Sequence, residues 1–277
     1  MGDFELDTRV EGANGRYRAR LSRDWEIWGP NGGYLATIAL RAVGREAKVG
    51  RPASFHGHFL SVARFEDVEI EVTPVRVGRR TESFRVSMAQ QGKPVFEGLV
   101  RTAAEGPGLA HREGDAPDVP APERLKSWAQ LAEERDLGEG PSYPFWENLE
   151  ARPTEPDRIG DRTTRAPPRM VEWYRFRPRE IFEDPWTDAG RSVVLIDTLS
   201  WPAAARAHTP TEFTAPSLDV TVWFHRPVPR EPWLLADQVS PIGEAGLIGC
   251  LGRVWCPGGK LVASGGSQLL CVPPSAR

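Results

Sequence analysis

Two similar halves, each a curved antiparallel sheet wound round one long helix, are what this 277-residue sequence predicts: an α+β fold. Three observations carry that reading. EVTPVRVGRRTESFRVSMAQQGKPVFEG (71–98) can be laid on QVSPIGEAGLIGCLGRVWCPGGKLVASG (238–265) without a gap, so that Pro74 meets Pro241, Gly92 meets Gly259 and Lys93 meets Lys260 at a constant separation of 167 residues. Just upstream, HFLSVA (58–63) lies on WFHRPV (223–228) at a separation of 165. The two-residue change falls in a turn, where extra chain costs little. The third observation is that a long apolar helical segment precedes each strand set. The 10 Trp and 26 Pro suit strands and turns with large apolar fillers better than a helical bundle.

The elements follow in order. In GPNGGYLATIALRAVGREA (29–47), Leu35, Ile38, Ala39 and Ala42 recur at helical spacing behind a Gly-Asn start. The segment 71–98 alternates, turns at QQGK and alternates again, which is a hairpin pattern. Residues 103–143 are rich in Pro, Gly, Ala and charge and read as a linker with one short helix near Pro122–Arg135. AGRSVVLIDTLSWPAAARA (189–207) is apolar nearly all round, the mark of a helix wrapped by a sheet. SLDVTVWFHRP (217–227) alternates: Leu218, Val220, Val222 and Phe224 on one face, Ser217, Asp219, Thr221, Trp223 and His225 on the other. The segment 238–265 repeats the hairpin, turning at CPGGK. A curved antiparallel sheet round a central helix is the hotdog fold. The chain is therefore expected to be a double hotdog: repeats at 1–104 and 144–277, joined by a linker at 105–143.

Bulk composition excludes several functions. A net charge of -3 and a pI near 6.0 give no footprint for a polyanion, and RVGRR at 76–80 reads as a turn, so no nucleic-acid partner is expected. The polar, acidic start lacks the apolar core of a signal peptide, and no run of 18 apolar residues occurs, so no membrane span is expected. Cys250, Cys256 and Cys271 have neither disulfide-framework parity nor zinc-knuckle spacing. They read as buried thiols of a reducing, cytoplasmic setting. His56 and His58 share a strand face, but nothing nearby in sequence completes a metal site, and none is expected.

Several residues stand out chemically. Asp197 is the single acid among Val193, Val194, Leu195, Ile196 and Leu199. A carboxylate buried there is costly and its pKa rises, which suits a general base for water. The corresponding part of the first helix, near Thr37 to Ala39, has no carboxylate, so one site per chain is expected. PNGGY begins a helix, where free N–H groups and the dipole stabilise developing negative charge. Gly32, Gly33 and Tyr34 are the candidates for that role. No Gly-x-Ser-x-Gly elbow or P-loop ending is present.

SLDVTVWFHRPVPREPWLLADQVSP (217–241), followed by GGKLVASGGSQLL (258–270), resembles the last third of the acyl-CoA thioesterase II family. GPNGGYLATIALRA (29–42) and SFHGHFLSVARFED (54–67) resemble its first hotdog repeat. The resemblance covers roughly 15–103 and 144–272. It implies two repeats packed as a pseudo-dimer, hydrolysis of acyl-CoA at their interface, and a water held by a helix Asp, a Thr and a Gln. The Asp corresponds to Asp197. The Thr, two residues before the strand Asp, falls on Ser217, with Asp219 matching the strand Asp; Thr221 competes for the hydroxyl role. Ungapped alignment puts the Gln on Ser267, whereas the nearby amide is Gln268; a bulge at Gly265-Gly266 would turn Gln268 onto the right face, and Gln268 is the candidate for the catalytic amide. His225 matches Leu60 in the internal alignment, and the resemblance gives it no role. An acyl-CoA substrate, no cofactor and a homodimer are expected. Two alternatives stand beside hydrolysis: a non-catalytic acyl-CoA-binding double hotdog, and a hotdog hydroxyacyl-CoA dehydratase. The second lacks its Asp–His dyad, since no His follows Asp197 until His208.

Overall fold

The computed structural model describes all residues except 113, 138–142, 159–160, 162 and 275–277. Alternating residues build twelve strands: β1 (Glu11–Ala13), β2 (Arg16–Arg20), β3 (Arg51–Phe59), β4 (Asp67–Val77), β5 (Thr81–Gln90), β6 (Lys93–Ala103), β7 (Leu149–Pro153), β8 (Arg169–Phe176), β9 (Asp219–Phe224), β10 (Trp233–Glu244), β11 (Leu247–Trp255) and β12 (Leu261–Leu270). They form one sheet in the order β1-β2-β4-β5-β6-β3-β9-β12-β11-β10-β8-β7. Read from either end the order is the same under the exchange of halves, β1 with β7 through β6 with β12. Every strand pairing is antiparallel. The two halves meet where β3 pairs with β9, Ser54 opposite Trp223 and His58 opposite Asp219.

The turns fall where the sequence places them. Gln91-Gly92, between β5 and β6, has φ of 51° and 77°, the left-handed pair of a two-residue hairpin. The CPGGK loop stands at the matching place between β11 and β12.

Five α-helices are found among the described residues: α1 (Phe4–Asp7), α2 (Gly32–Glu46), α3 (Trp128–Glu134), α4 (Pro185–Thr198) and α5 (Ser200–Ala205). The second long helix begins four residues before the apolar run at 189, with Pro185 in its first turn and Asp184 capping it through Thr187 N. It also breaks at Leu199, so α5 is a separate turn and a half. α2 and α4 lie side by side against the inner face of the sheet, both buried along most of their length. Close approach needs glycine: a Cβ on Gly33 would fall 2.6 Å from the Val194 Cα, and one on Gly190 would run into Thr37. A shift of 157 residues takes Gly33 to Gly190 and Thr37 to Val194, so these are one contact seen twice across a pseudo-dyad. The same shift carries Asp197 back to Leu40, which is fully buried.

The linker covers the outer face of the second half. Ala116, Val119 and Leu125 pack on Trp173, Trp233, Leu235 and Trp255, and the Trp173 indole donates to the Pro120 carbonyl at 3.0 Å. Arg191 is fully buried. It is ion-paired with Asp188 and donates to the carbonyls of Val228 and Glu231 at 2.9 and 2.7 Å, fixing the turn after β9.

Candidate active site

Antiparallel packing brings the last turn of α4 to the first turn of α2. Asn31 fastens them: its side-chain Oδ1 accepts from Tyr34 N at 2.9 Å, capping α2, and its Nδ2 donates to Thr198 Oγ1 at 2.9 Å. Asp197 sits at this junction, only 4% exposed. A Cβ on Gly32 would fall 2.7 Å from Asp197 Oδ2 and 2.8 Å from Phe59 Cζ, so the carboxylate and the phenyl ring both lean on a bare glycine. Burial pushes the Asp197 pKa up to about 6, while the Ser217 side chain and the Gly33 N–H pull it down and the Asp219 charge adds a smaller push upward. Its Oδ1 has no hydrogen-bond partner among the described residues. A buried acceptor left free is costly unless something else binds there.

Ser217 lies just before β9 and is held from both halves of the sheet. It bridges to Leu269 of β12. The adjoining Leu218 donates its N–H to the Gln268 carbonyl at 2.7 Å and accepts from Phe59 N of β3 at 2.9 Å. Asp197 and Ser217 are thus brought together, with Gly32 and Gly33 beside them. Among the described residues no partner is found for the Gly32 N–H, the orphan donor expected in the first turn of a helix.

Two expectations are corrected. Tyr34 cannot serve as an oxyanion donor: its N–H is spent on the Asn31 cap, and its hydroxyl donates to the Asp7 carbonyl and accepts from Ser22 N. Gln268 is not turned into the site, because the bulge at Gly265-Gly266 that would bring it there is absent. The β11–β12 register runs unbroken from Leu247 opposite Leu270 to Val254 opposite Ala263, and shifts only next to Trp255. Those glycines instead admit close neighbours, since a Cβ on either would collide with the carbonyl of Thr221 or of Cys250. With the two-residue period intact, Ser267 faces inward and Gln268 lies exposed on the outer face. The Ser267 hydroxyl donates to the Asp219 carbonyl at 2.5 Å.

Thr221 and His225 also lie outside: Thr221 contacts His56 at 3.3 Å and His225 contacts Ser264 at 2.9 Å. No group of three or more His, Cys, Asp or Glu able to hold a metal is found among the described residues. Phe59 and the Asn31–Thr198 tie are the parts of the site the sequence reading missed. Asn31 carried a signal as the residue before Gly-Gly at a helix start; Phe59 carried none.

Residues 21–103 match the acyl-CoA thioesterase N-terminal domain, and residues 113–272 match the acyl-CoA thioesterase C-terminal domain. Human acyl-coenzyme A thioesterase 8 is 26% identical over 209 residues, 70% of this chain; the chain spans 64% of that protein's length. Among solved structures, a conserved protein of unknown function with a hot dog fold from Alicyclobacillus acidocaldarius superposes with a TM-score of 0.82 at 20% identity, 98% of each chain being covered. An acyl-CoA thioesterase II from Mycobacterium marinum superposes with a TM-score of 0.77 at 23% identity, covering 99% of this chain and 100% of that one. These structures share the double hotdog architecture, and the two matched domains together span nearly the whole sequence: the chain belongs to the acyl-CoA thioesterase family.

Proposed function

We propose that the chain hydrolyses acyl-CoA thioesters to free acid and CoA, with Asp197 as general base and Ser217 helping to hold the water. The observation that carries this is the free Oδ1 of a buried carboxylate whose pKa of about 6 lets it accept a proton near neutrality. Asp197 takes a proton from the water while its oxygen bonds to the thioester carbon. The carbonyl oxygen becomes an anion facing the start of α2, where the Gly32 N–H and the helix dipole stabilise it. The tetrahedral centre then collapses, the carbon–sulfur bond breaks, and the CoA sulfur takes up the proton that Asp197 received. Water and thioester are consumed, acid and thiol are formed, and no cofactor enters.

A second reading, a double hotdog that binds acyl-CoA without cleaving it, is favoured by one observation. The strand position that matches the family's amide holds Ser267, whose hydroxyl already serves Asp219. Release of free thiol from a panel of acyl-CoAs separates the two. Hydrolysis predicts release by the wild type and its loss in Asp197→Asn; binding alone predicts saturable binding and no thiol from either protein. The dehydratase reading finds no support, because no histidine hydrogen-bonds Asp197 among the described residues. We also propose a homodimer, which sedimentation at micromolar concentration would test. No helix among the described residues is long and apolar enough to cross a membrane.

A further inference from the structure

Beside the Asp197 site the chain exposes several large apolar side chains. Phe59, which leans on Gly32 together with Asp197, ends β3, and Leu60 and Val62 follow it at 53% and 77% exposure. Val62 lies against Gly29, 3.1 Å from where a Cβ would be. Next to Gly29 is Trp28, 44% exposed, whose indole N–H donates to the Tyr143 hydroxyl at 2.7 Å. Tyr143 is itself 38% exposed. Large apolar groups gathered at the surface mark a binding place more often than chance.

The loop that presents Trp28 is built to hold it there. Ile27 and Gly29 exchange N–H···O bonds at 2.9 Å across it, and Asn31 N donates to the Trp25 carbonyl at 2.9 Å, closing residues 25–31 directly onto the start of α2. Trp28 has φ of 61°, a left-handed conformation that a bulky residue adopts only at a cost. Such strain persists where the surroundings enforce it, and it gathers at ligand clamps. Glycine would serve this backbone better, so the indole is what the position retains.

We propose that Trp28 and Tyr143, with Leu60 and Val62, form an apolar collar that grips the acyl chain where it leaves the Asp197 site, and so set which acyl groups are preferred. The inference rests on the hydrolase or acyl-CoA-binding reading of that site. The chemistry of the collar favours the acyl chain over the CoA arm. The one indole N–H is spent on the tyrosine hydroxyl, leaving a single phenolic O–H among aromatic faces and two aliphatic side chains, which match methylenes. The amide-bearing arm of CoA would need free donors and acceptors.

The test uses Trp28→Gly, which relieves the backbone strain and is expected to fold with an unchanged or higher melting temperature. Calorimetry with non-hydrolysable alkyl thioethers of CoA, from methyl to dodecyl, reads the collar without turnover. In the wild type the affinity should rise with chain length. In Trp28→Gly the dodecyl-to-methyl affinity ratio should fall by roughly 15- to 60-fold, the worth of two to three buried methylenes. The ratio of kcat/KM for dodecanoyl-CoA to that for acetyl-CoA should fall in parallel. Equal weakening for every chain length, or a wild-type affinity that ignores chain length, would overturn the collar. Asp197→Asn keeps the two readings apart, since it should abolish turnover while preserving the chain-length dependence of binding.

Discussion

Asp197 holds its proton to a higher pH than a free aspartate, and the sign of that shift fixes two expectations. A folded-state pKa of about 6 against the ordinary aspartate value of 3.8 means that the folded protein binds the extra proton across that interval. Stability is therefore undiminished below the unfolded value, falls as pH rises through the interval, and stays reduced above it. Asp197→Asn removes the ionisation and should stabilise the fold at neutral pH by roughly 1–3 kcal/mol, raising the melting temperature by a few degrees. The same change should cut kcat by about 10²–10⁴. A scanning calorimeter and a thiol-release assay check the pair; lower stability with lower activity would mark Asp197 as merely structural. Activity in the wild type should be lost as pH falls through about 6. Because Ser217 lowers that pKa, Ser217→Ala should move the acid limb to higher pH, and Ser217→Thr should restore it. A pH–rate profile unmoved by Ser217→Ala would remove Ser217 from the site. Asp197 was legible because it is a lone acid in an apolar run. The parity at Gln268 was not, since a pair of glycines reads equally as a bulge or as a close backbone approach, and the structure has the second. Nor was the loss of the Tyr34 N–H, which depends on the Asn31 cap claiming that donor.

At the scale of elements, the helix pair is what brings Asp197 to Gly32, and its spacing rests on two glycines that are not equivalent. A Cβ on Gly33 would meet the backbone of Val194, which cannot step aside without moving α4. A Cβ on Gly190 would meet the Thr37 side chain, which could rotate at the expense of its bonds to the Gly33 and Gly190 carbonyls. Gly33→Ala should therefore cost more than Gly190→Ala, by about 1–2 kcal/mol on the scale of overpacked cores. Gly33→Ala should also weaken turnover in whatever fraction folds, because it separates the two helix ends. Urea denaturation of both variants decides the order, and a larger loss for Gly190→Ala would contradict the backbone contact. The strands were legible through their two-residue period and their glycine turns. The start of α4 was less so, because the apolar run at 189 drew attention past the Asp184-Pro185 cap that begins the helix.

For the whole molecule, the palindromic strand order and the repeated glycine contact describe a dimer fused into one chain. A symmetric dimer of hotdogs would place an acid at both ends of the helix pair. Here the shift that relates the helices puts Leu40 at the place matching Asp197. A charge there would be buried among Ile38, Ala39 and Val43, and Leu40 packs instead. At that end of the pair the Trp186 ring lies against Gly44, where a Cβ would fall 2.6 Å from its Cγ, and under the same shift Gly32 corresponds to Ala189, which carries a methyl group where Gly32 is bare. The architecture thus occurs twice, while the buried carboxylate of the helix pair stands at one end, with Leu40 at the other. The consequence is countable. Titration with a non-hydrolysable thioether of CoA should saturate at one ligand per chain, and Asp197→Asn alone should remove turnover with no half-active remainder. A stoichiometry of two, or a residual rate near half that of the wild type, would mean that the end of the helix pair marked by Leu40 also works.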